Sequence, residues 1–509
     1  MIAVSNAWKE VQQRFLLPET HIEIDCTVTE ADVQKSATIS GTNESVFSNT
    51  ISTLYDTNQT VKYATNELNL WALDGSFTIA PDSAPYANIG YTSDVAASGS
   101  VTVRLPKVHE AATSGVTITW GGIHDEYPTV FTITAKNGDS VVYESTVIDN
   151  VDQVSAIFAK IQNYDSITVV VHDWVLPYRR VRIERFTVGH VLTFDKSNIF
   201  SYVHEQTGHL NSGDLPKNSI SFTLDNTDGR WNPNNPTGME QYLSERQRLK
   251  VRYGLDVNGS IEWIKAGTFY LSEWRVPSNG IEASFVARDI FEYLLNETYS
   301  GARSGTLHQL ILNALESAGV PDDLIYHLDA SLDRYHATIP EGEHTCAEVM
   351  QMCANAGGCV VYQDREGELY VKPLNKNHSN VTIPLTLSYS HPEIELSKPL
   401  RNVSVSYGEN SKYSLPVGDS GETQTVNNPL ISDVTQAKFV AEWVRDTLTT
   451  RKTVSGEYRA DPRLDVFDIV AVASKYGDLQ NVALTDIRYT FSGSFRGDYT
   501  GRLLEVGTT

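Results

Sequence analysis

Leu215-Pro216-Lys217-Asn218-Ser219-Ile220-Ser221-Phe222-Thr223-Leu224-Asp225-Asn226 is the stretch on which the reading of this chain turns. Ile220, Phe222 and Leu224 alternate with polar residues, the period of a strand with one buried face. A Pro/Asn-rich loop follows, then Gln247-Arg248-Leu249-Lys250-Val251-Arg252-Tyr253-Gly254, where Leu249, Val251 and Tyr253 repeat the alternation. Ile261 to Leu271 and Ile281 to Asp289 continue the series, with Gly, Asn and Pro between the runs. Strands at this spacing predict a compact antiparallel β-barrel or sandwich over Leu215–Leu295. Nothing in the stretch is arranged for catalysis.

The bulk composition narrows the class. A chain of 509 residues with 40% apolar residues and 25 Tyr has material for three or four folded domains and no compositional case for disorder. A formal charge of −23 opposes general nucleic-acid binding, which needs a basic face, and suits a soluble assembly subunit or a channel wall that DNA passes without adhering. The four cysteines, Cys26, Cys346, Cys353 and Cys359, are too few for a disulfide framework, and their spacing lacks paired zinc-ligand motifs. Met1 to Glu10 has neither the basic region nor the apolar run of a secretory signal, and no apolar stretch approaches a membrane span. Manufacture and assembly in a cytosol are expected.

Working outward, residues 1–20 predict a short helix through Val4, Ala7, Trp8, Val11 and Phe15, closed by Pro18. His21 to Thr29 alternates as a strand that is a candidate member of the first barrel, which would make the region between that strand and the barrel an insertion. From Thr53 to Phe186 many short strands with turn residues between them predict a β-sandwich or jelly roll. After the barrel, Leu307, Leu310, Ile311, Ala314, Leu315 and Ala318 share a helical face ended by Gly319. Thr345-Cys346-Ala347-Glu348 is a capping box opening a second helix that stops at Gly357-Gly358. A hairpin follows, Cys359–Tyr362 and Glu368–Leu374, turning at Gln363–Gly367. Strands resume at Leu400–Tyr407, residues 408–428 read as a polar loop, and Ser432 or Asp433 caps a helix through Val434, Ala437, Val440, Ala441, Val444 and Leu448. A strand, a Pro-set turn and a buried strand run from Val454 to Val472.

Several of these runs carry a family resemblance. The order I-x-F-x-L-D-N-x-D-G-x-W-N-P (Ile220 to Pro233), v-x-v-x-Y-G (Leu249 to Gly254), G-x-F-Y-L-x-x-W (Gly267 to Trp274) and F-x-A-x-D (Phe285 to Asp289) resembles the first tube-forming barrel of phage tail baseplate hub proteins, in the form found in phages and tail-like particles of Gram-positive bacteria. Ala354 to Val371 is similar to the family's inserted α/β domain, and Asp461-Pro462-Arg463-Leu464 to Val472 to its second barrel. Ala64 to Ser76 resembles the opening of galactose-binding-type jelly rolls in some tail proteins. The resemblance implies a mainly β, multi-domain chain: two hub-type β-barrels, a small α/β insert and a jelly-roll sandwich. The expected division is 1–50 (helix and strands), 51–187 (jelly roll), 188–300 (first barrel), 301–375 (α/β domain) and 376–509 (second barrel).

A search for chemistry finds none that holds. His204-Glu205-Gln206-Thr207-Gly208-His209 fails as a zinc motif because the second His is at i+5, off the helical face of the first. Asp225, Asn226 and Asp228 before Gly229 lack the downstream acidic ligand of a calcium loop and read as a turn. No P-loop or nucleophile elbow is present, so no catalytic residue, cofactor or metal is expected. Trp71 and Trp120 are candidates for stacking on a sugar ring, although a Trp in an alternating strand more often belongs to a core. Leu249, Val251 and Tyr253, with Ile469 and Val470, lie on candidate edge strands for building a ring. The family resemblance implies a homotrimer whose two barrels per subunit make a pseudo-six-fold ring joining the tail tube to a central spike or fibre. Its partners would be tail-tube or distal-tail ring proteins and other baseplate proteins, its location the virion. The alternative is a carbohydrate-binding receptor-recognition tail protein working through residues 51–187, with a host-surface glycan as partner.

Overall fold

The computed structural model describes residues 2–14, 19–29, 36–45, 90–110, 113–121, 126–232, 234–235, 243–277, 280–321, 323–374, 378–448 and 450–504. It divides into two compact units: residues 1–25 with 193–509, and an inserted unit of residues 26–192.

The first unit begins with helix α1 (Asn6–Gln12), shorter than the expected 1–20. Ser5 sets its start, its side chain accepting the Trp8 N–H at 3.0 Å, and Trp8 and Val11 are fully buried. Strand β1 (Thr20–Thr29) follows, burying Ile22 and Ile24. The chain leaves this unit within β1 and returns at Thr193, whose hydroxyl donates to the Asp25 carboxylate at 2.7 Å, so exit and re-entry are adjacent.

The inserted unit contains β2 (Thr38–Thr42), β3 (Tyr91–Ala96), β4 (Gly99–His109), β5 (Thr113–Trp120), β6 (Pro128–Asn137), β7 (Ser140–Val147), β8 (Val154–Ile161), β9 (Tyr164–Trp174) and most of β10 (Arg180–Asp195). One sheet runs β2-β4-β9-β6-β7; β8 and β3 flank β5 and β10 in the other. Val101, Val103, Phe131, Ile133, Ile167 and Val169 share one core with Val116, Ile118, Trp120, Ile183 and Phe186. This is a two-sheet sandwich, built by strands that alternate inward apolar and outward polar residues. The Ala64–Ser76 segment lies outside the described residues.

After re-entry come β11 (Ile199–Thr207), β12 (Lys217–Asp225), β13 (Arg248–Val257), β14 (Ser260–Arg275) and β15 (Glu282–Arg288), then the one-turn helix α2 (Phe291–Leu294). The α/β part holds β16 (Ser304–Thr306), α3 (Leu307–Ala318), β17 (Tyr326–Leu328), β18 (His336–Thr338), α4 (Cys346–Gly357), β19 (Val360–Gln363) and β20 (Leu369–Lys372). Both long helices start in reciprocal capping boxes, Thr306 with Gln309 and Thr345 with Glu348, and both end at a left-handed glycine, Gly319 and Gly358. The chain continues through β21 (His378–Ile383), β22 (Glu393–Leu396), β23 (Leu400–Tyr407), β24 (Ser411–Pro416), β25 (Glu422–Asn427), α5 (Val434–Leu448), β26 (Lys452–Tyr458), β27 (Ile469–Ala473), β28 (Leu479–Phe491) and β29 (Phe495–Leu503).

The strands of this unit join in the order β22-β26-β29-β28-β11-β12-β15-β14-β13-β1, with β27 on β28 and β21 on β27. The protein is therefore mainly β and multi-domain, but the two expected barrels are not separate closed rings among the described residues. They are halves of one continuous sheet, fused where β11 pairs with β28 from Tyr202↔Phe491 to Thr207↔Asp486. Alternation along β1, β12 and β13 was legible in sequence; which strand edges meet was not, because a ladder bond carries no side-chain signature.

Two further departures concern residues 376–448. The expected loop 408–428 contains β24 and β25, which flank β23; most of their residues are exposed, so no clear apolar alternation marked them. The α/β core is also larger than 301–375. Val403, Val405, Leu430, Ile431, Ala437, Val440 and Val444 pack in one cluster with Leu310, Ile311, Met350 and Cys353.

Candidate functional site

The most elaborate constellation in the first unit is a buried polar knot where four parts of it meet. In β11 the inward positions are Tyr202, His204 and Gln206, polar groups at the phase where β12 places Ile220, Phe222 and Leu224. His204 is fully buried. Its Nε2 lies 2.8 Å from Asn218 Oδ1, which can only accept, so Nε2 carries the proton. Its Nδ1, 2.8 Å from the Tyr253 hydroxyl, then accepts, and Tyr253 accepts in turn from Tyr202 at 2.8 Å. Phe269 packs edge-on to the imidazole at 5.3 Å between centroids. Every hydrogen-bonding atom of the ring is thus used in its neutral form, and burial, with the Arg365 guanidinium next in weight, lowers its pKa to about 4.

Arg365 arrives from the turn between β19 and β20. Its Nη1 and Nη2 donate to the carbonyls of Pro462 and Leu464, and its Nε is 3.3 Å from Asp465 Oδ2. The loop that receives it, Ala460–Asp465, is gripped from other directions as well. Gln206 donates to Asp465 at 2.6 Å, the Tyr489 hydroxyl sits 3.0 and 2.9 Å from the carbonyls of Asp461 and Leu464, and Gln12 of α1 donates to Ala460 at 2.7 Å. Inside the loop Arg463 pairs with Asp461, both buried. The first strand group, the α/β hairpin, the second strand group and the N-terminal helix are thereby tied to a single loop by hydrogen bonds that burial makes costly to break.

These groups are structural in their geometry. Both ring nitrogens of His204 are taken by protein partners, and Nη1 and Nη2 of Arg365 each donate to a main-chain carbonyl. Among the described residues no cluster of three or more His, Cys, Asp or Glu is placed to hold a metal ion, and no helix is long and apolar enough to cross a membrane. The Asp225–Gly229 segment is a capped turn: Asp225 accepts from Thr227 N, Asn226 from Trp231 N and Asp228 from Arg230 N, with Gly229 at a φ of +68°. Cys346, Cys353 and Cys359 are buried free thiols, and burial raises the pKa of each, that of Cys359 to about 12.

No protein-family model and no curated protein matches the sequence. Among solved structures the chain is similar to the tail protein of Neisseria meningitidis MC58, with 13% identity and a TM-score of 0.45 over 62% of this chain and 93% of that one. It is similar to the 43 kDa tail protein of prophage MuSo2 from Shewanella oneidensis (11% identity, TM-score 0.44, 62% and 95% covered). The prophage tail protein gp18 from Listeria monocytogenes EGD-e gives 11% identity and a TM-score of 0.40, with 62% and 90% covered. These structural neighbours are tail proteins.

The residues singled out from sequence fall differently from expectation. Trp120 is fully buried in the sandwich core, edge-on to Phe131 and Trp174, with its Nε1 donating to Ser155 at 2.8 Å. It has no face for a sugar; the core needed its bulk, as alternating strands usually do. Trp71 lies outside the described residues. Leu249, Val251 and Tyr253 are buried, and their strand is not an edge: β13 has β14 on one side and β1 on the other. Ile469 and Val470 are buried too, in a strand flanked by β21 and β28. The correction has one cause: alternation reports a buried face, never which neighbour buries it. Sequence reading missed Arg365 and the partners of His204. The available signal was Tyr202, His204 and Gln206 at inward positions, where a simple core would want apolar side chains.

Proposed function

We propose that the protein is a structural component of a phage tail or phage-derived tail-like particle, and specifically its hub. Three copies form a ring with pseudo-six-fold character that joins the tail tube to a central spike or fibre. The observation that carries this reading is the fusion of two antiparallel strand groups through the β11–β28 ladder, locked by the knot around Ala460–Asp465. A chain whose two strand groups are rigidly fixed supplies two wall segments, and three such chains supply six, which matches a six-fold tube to a three-fold tip. The motifs from Ile220 to Asp289 and from Asp461 to Val472 support the same reading by resemblance.

The role is geometric and needs no reactive group. The side of the sheet opposite Tyr202, His204 and Tyr489 is strongly charged: Glu205, Asp486, Asp498 and Glu457 share it with Lys217, Arg488, Arg496 and Arg502, and Glu205 pairs with Lys217 at 3.0 Å. A channel wall built from chains of net charge −23 would repel nucleic-acid phosphates and let DNA pass unbound. Tail-tube, distal-tail and spike proteins are the implied partners, and the virion the implied location. Native mass and negative-stain imaging of the purified protein test the proposal: a trimeric ring with a central opening is expected, and a monomer under all conditions overturns it. The alternative role in glycan recognition has lost Trp120, and glycan-array binding by residues 26–192 would be needed to revive it.

A further inference from the structure

Two features at opposite ends of the β27–β28 hairpin are complementary. At the tip, Ser474 N donates to the Asp478 carbonyl at 2.9 Å and Gly477 takes a φ of +85°, a tight turn that holds Tyr476 84% exposed, with Leu479 59% exposed beside it. Lys475 lies 5.0 Å from the Tyr476 ring and has no carboxylate partner among the described residues. At the base, a largely apolar cavity of about 390 Å³ is lined by Leu210, Leu374, Phe439, Trp443, Ile469 and Leu504. Its border also carries Asp446, Arg334 and Arg502.

The hairpin cannot fold its tip into its own base. β27 and β28 are registered rung by rung from Ile469↔Ala483 to Ala473↔Leu479, which holds Tyr476 roughly 15 Å from the cavity at about 3.3 Å per residue. A solvated phenol and a cavity with two aromatic walls each leave apolar contact unmade. The charges also correspond: the tip offers Lys475 and Asp478, the border Arg334, Arg502 and Asp446, the last half exposed and paired, among the described residues, only with its neighbour Arg445 at 2.7 Å. We propose that Tyr476 of one copy seats between Phe439 and Trp443 of the next, with Lys475 approaching Asp446 and Asp478 approaching Arg334. Tip and cavity are different surfaces, so the contact is head-to-tail and closes when three copies complete a ring. The inference rests on the trimeric hub reading and adds the surface that builds it.

The experiment is sedimentation and native mass spectrometry of the full chain across a concentration series. Tyr476→Ala is expected to raise the midpoint concentration of assembly by roughly 30-fold, the effect of losing an aromatic anchor, with an unchanged thermal melt because the residue is exposed. Lys475→Glu weakens assembly, and adding Asp446→Lys in the same chain restores it. An unchanged midpoint for Tyr476→Ala, or no rescue by the charge exchange, overturns the contact and leaves the ring reading standing. A wild-type chain that remains monomeric overturns both.

Discussion

Acidification should loosen the knot through His204. In the folded chain the imidazole is held neutral, donating to Asn218 and accepting from Tyr253, with its pKa lowered from 6.5 to about 4 by burial first and Arg365 second. The unfolded chain titrates near the ordinary value. Because the folded pKa is the lower one, this contribution is fully present above pH 6.5 and is lost as pH falls toward 4, where the unfolded state takes up a proton that the folded state refuses. The gap of 2.5 units corresponds to about 3 kcal/mol at its limit, and about 2 kcal/mol is lost by pH 5. Urea unfolding at pH 7.5 and pH 5, read from amide exchange in peptides covering β11, measures it. Carboxylates elsewhere also respond to pH, so the comparison is with His204→Gln, which cannot titrate. The wild type should lose about 2 kcal/mol more than the variant between the two pH values. Equal losses, or an NMR titration of His204 with a midpoint near 6.5, would refute the reasoning.

The same contacts set other expectations. Arg365→Met removes the guanidinium from two carbonyls and Asp465, and should cost about 3–5 kcal/mol in chemical denaturation; a cost under about 1 kcal/mol would show that the loop holds without it. Gly497 faces the ring of Tyr458 across the β26–β29 ladder, where an added Cβ would lie 2.6 Å from the ring, so Gly497→Ala should destabilise by about 1–3 kcal/mol, visible as a lowered melting temperature. All four cysteines are buried, so a thiol reagent should label none in the native protein and four after unfolding; rapid native labelling would contradict the packing. Joining Asp25 to Thr193 by a short Gly/Ser linker should leave a soluble first unit that melts cooperatively, since those residues already touch; insoluble or molten product would count against independent units.

The sequence by itself determined what local chemistry controls. The capping box at Thr345, the glycine stops at Gly319 and Gly358, and the buried stripe from Leu307 to Ala318 could be read directly, because each is set by neighbours within one or two turns. The same holds for the alternation of β12 and β13, and for the turn at Asp225–Gly229. Where those strands go was beyond it. Leu249, Val251 and Tyr253 read equally well as ring edge or as core, and only the placement of β1 beside β13 made them core. Tertiary structure alone joined β11 to β28, brought α5 into the α/β core, and carried Arg365 to a loop nearly a hundred residues away. The physical reason is that side-chain period fixes the face a residue presents, whereas the partner of that face is chosen by chain-wide packing and by backbone hydrogen bonds common to every sequence.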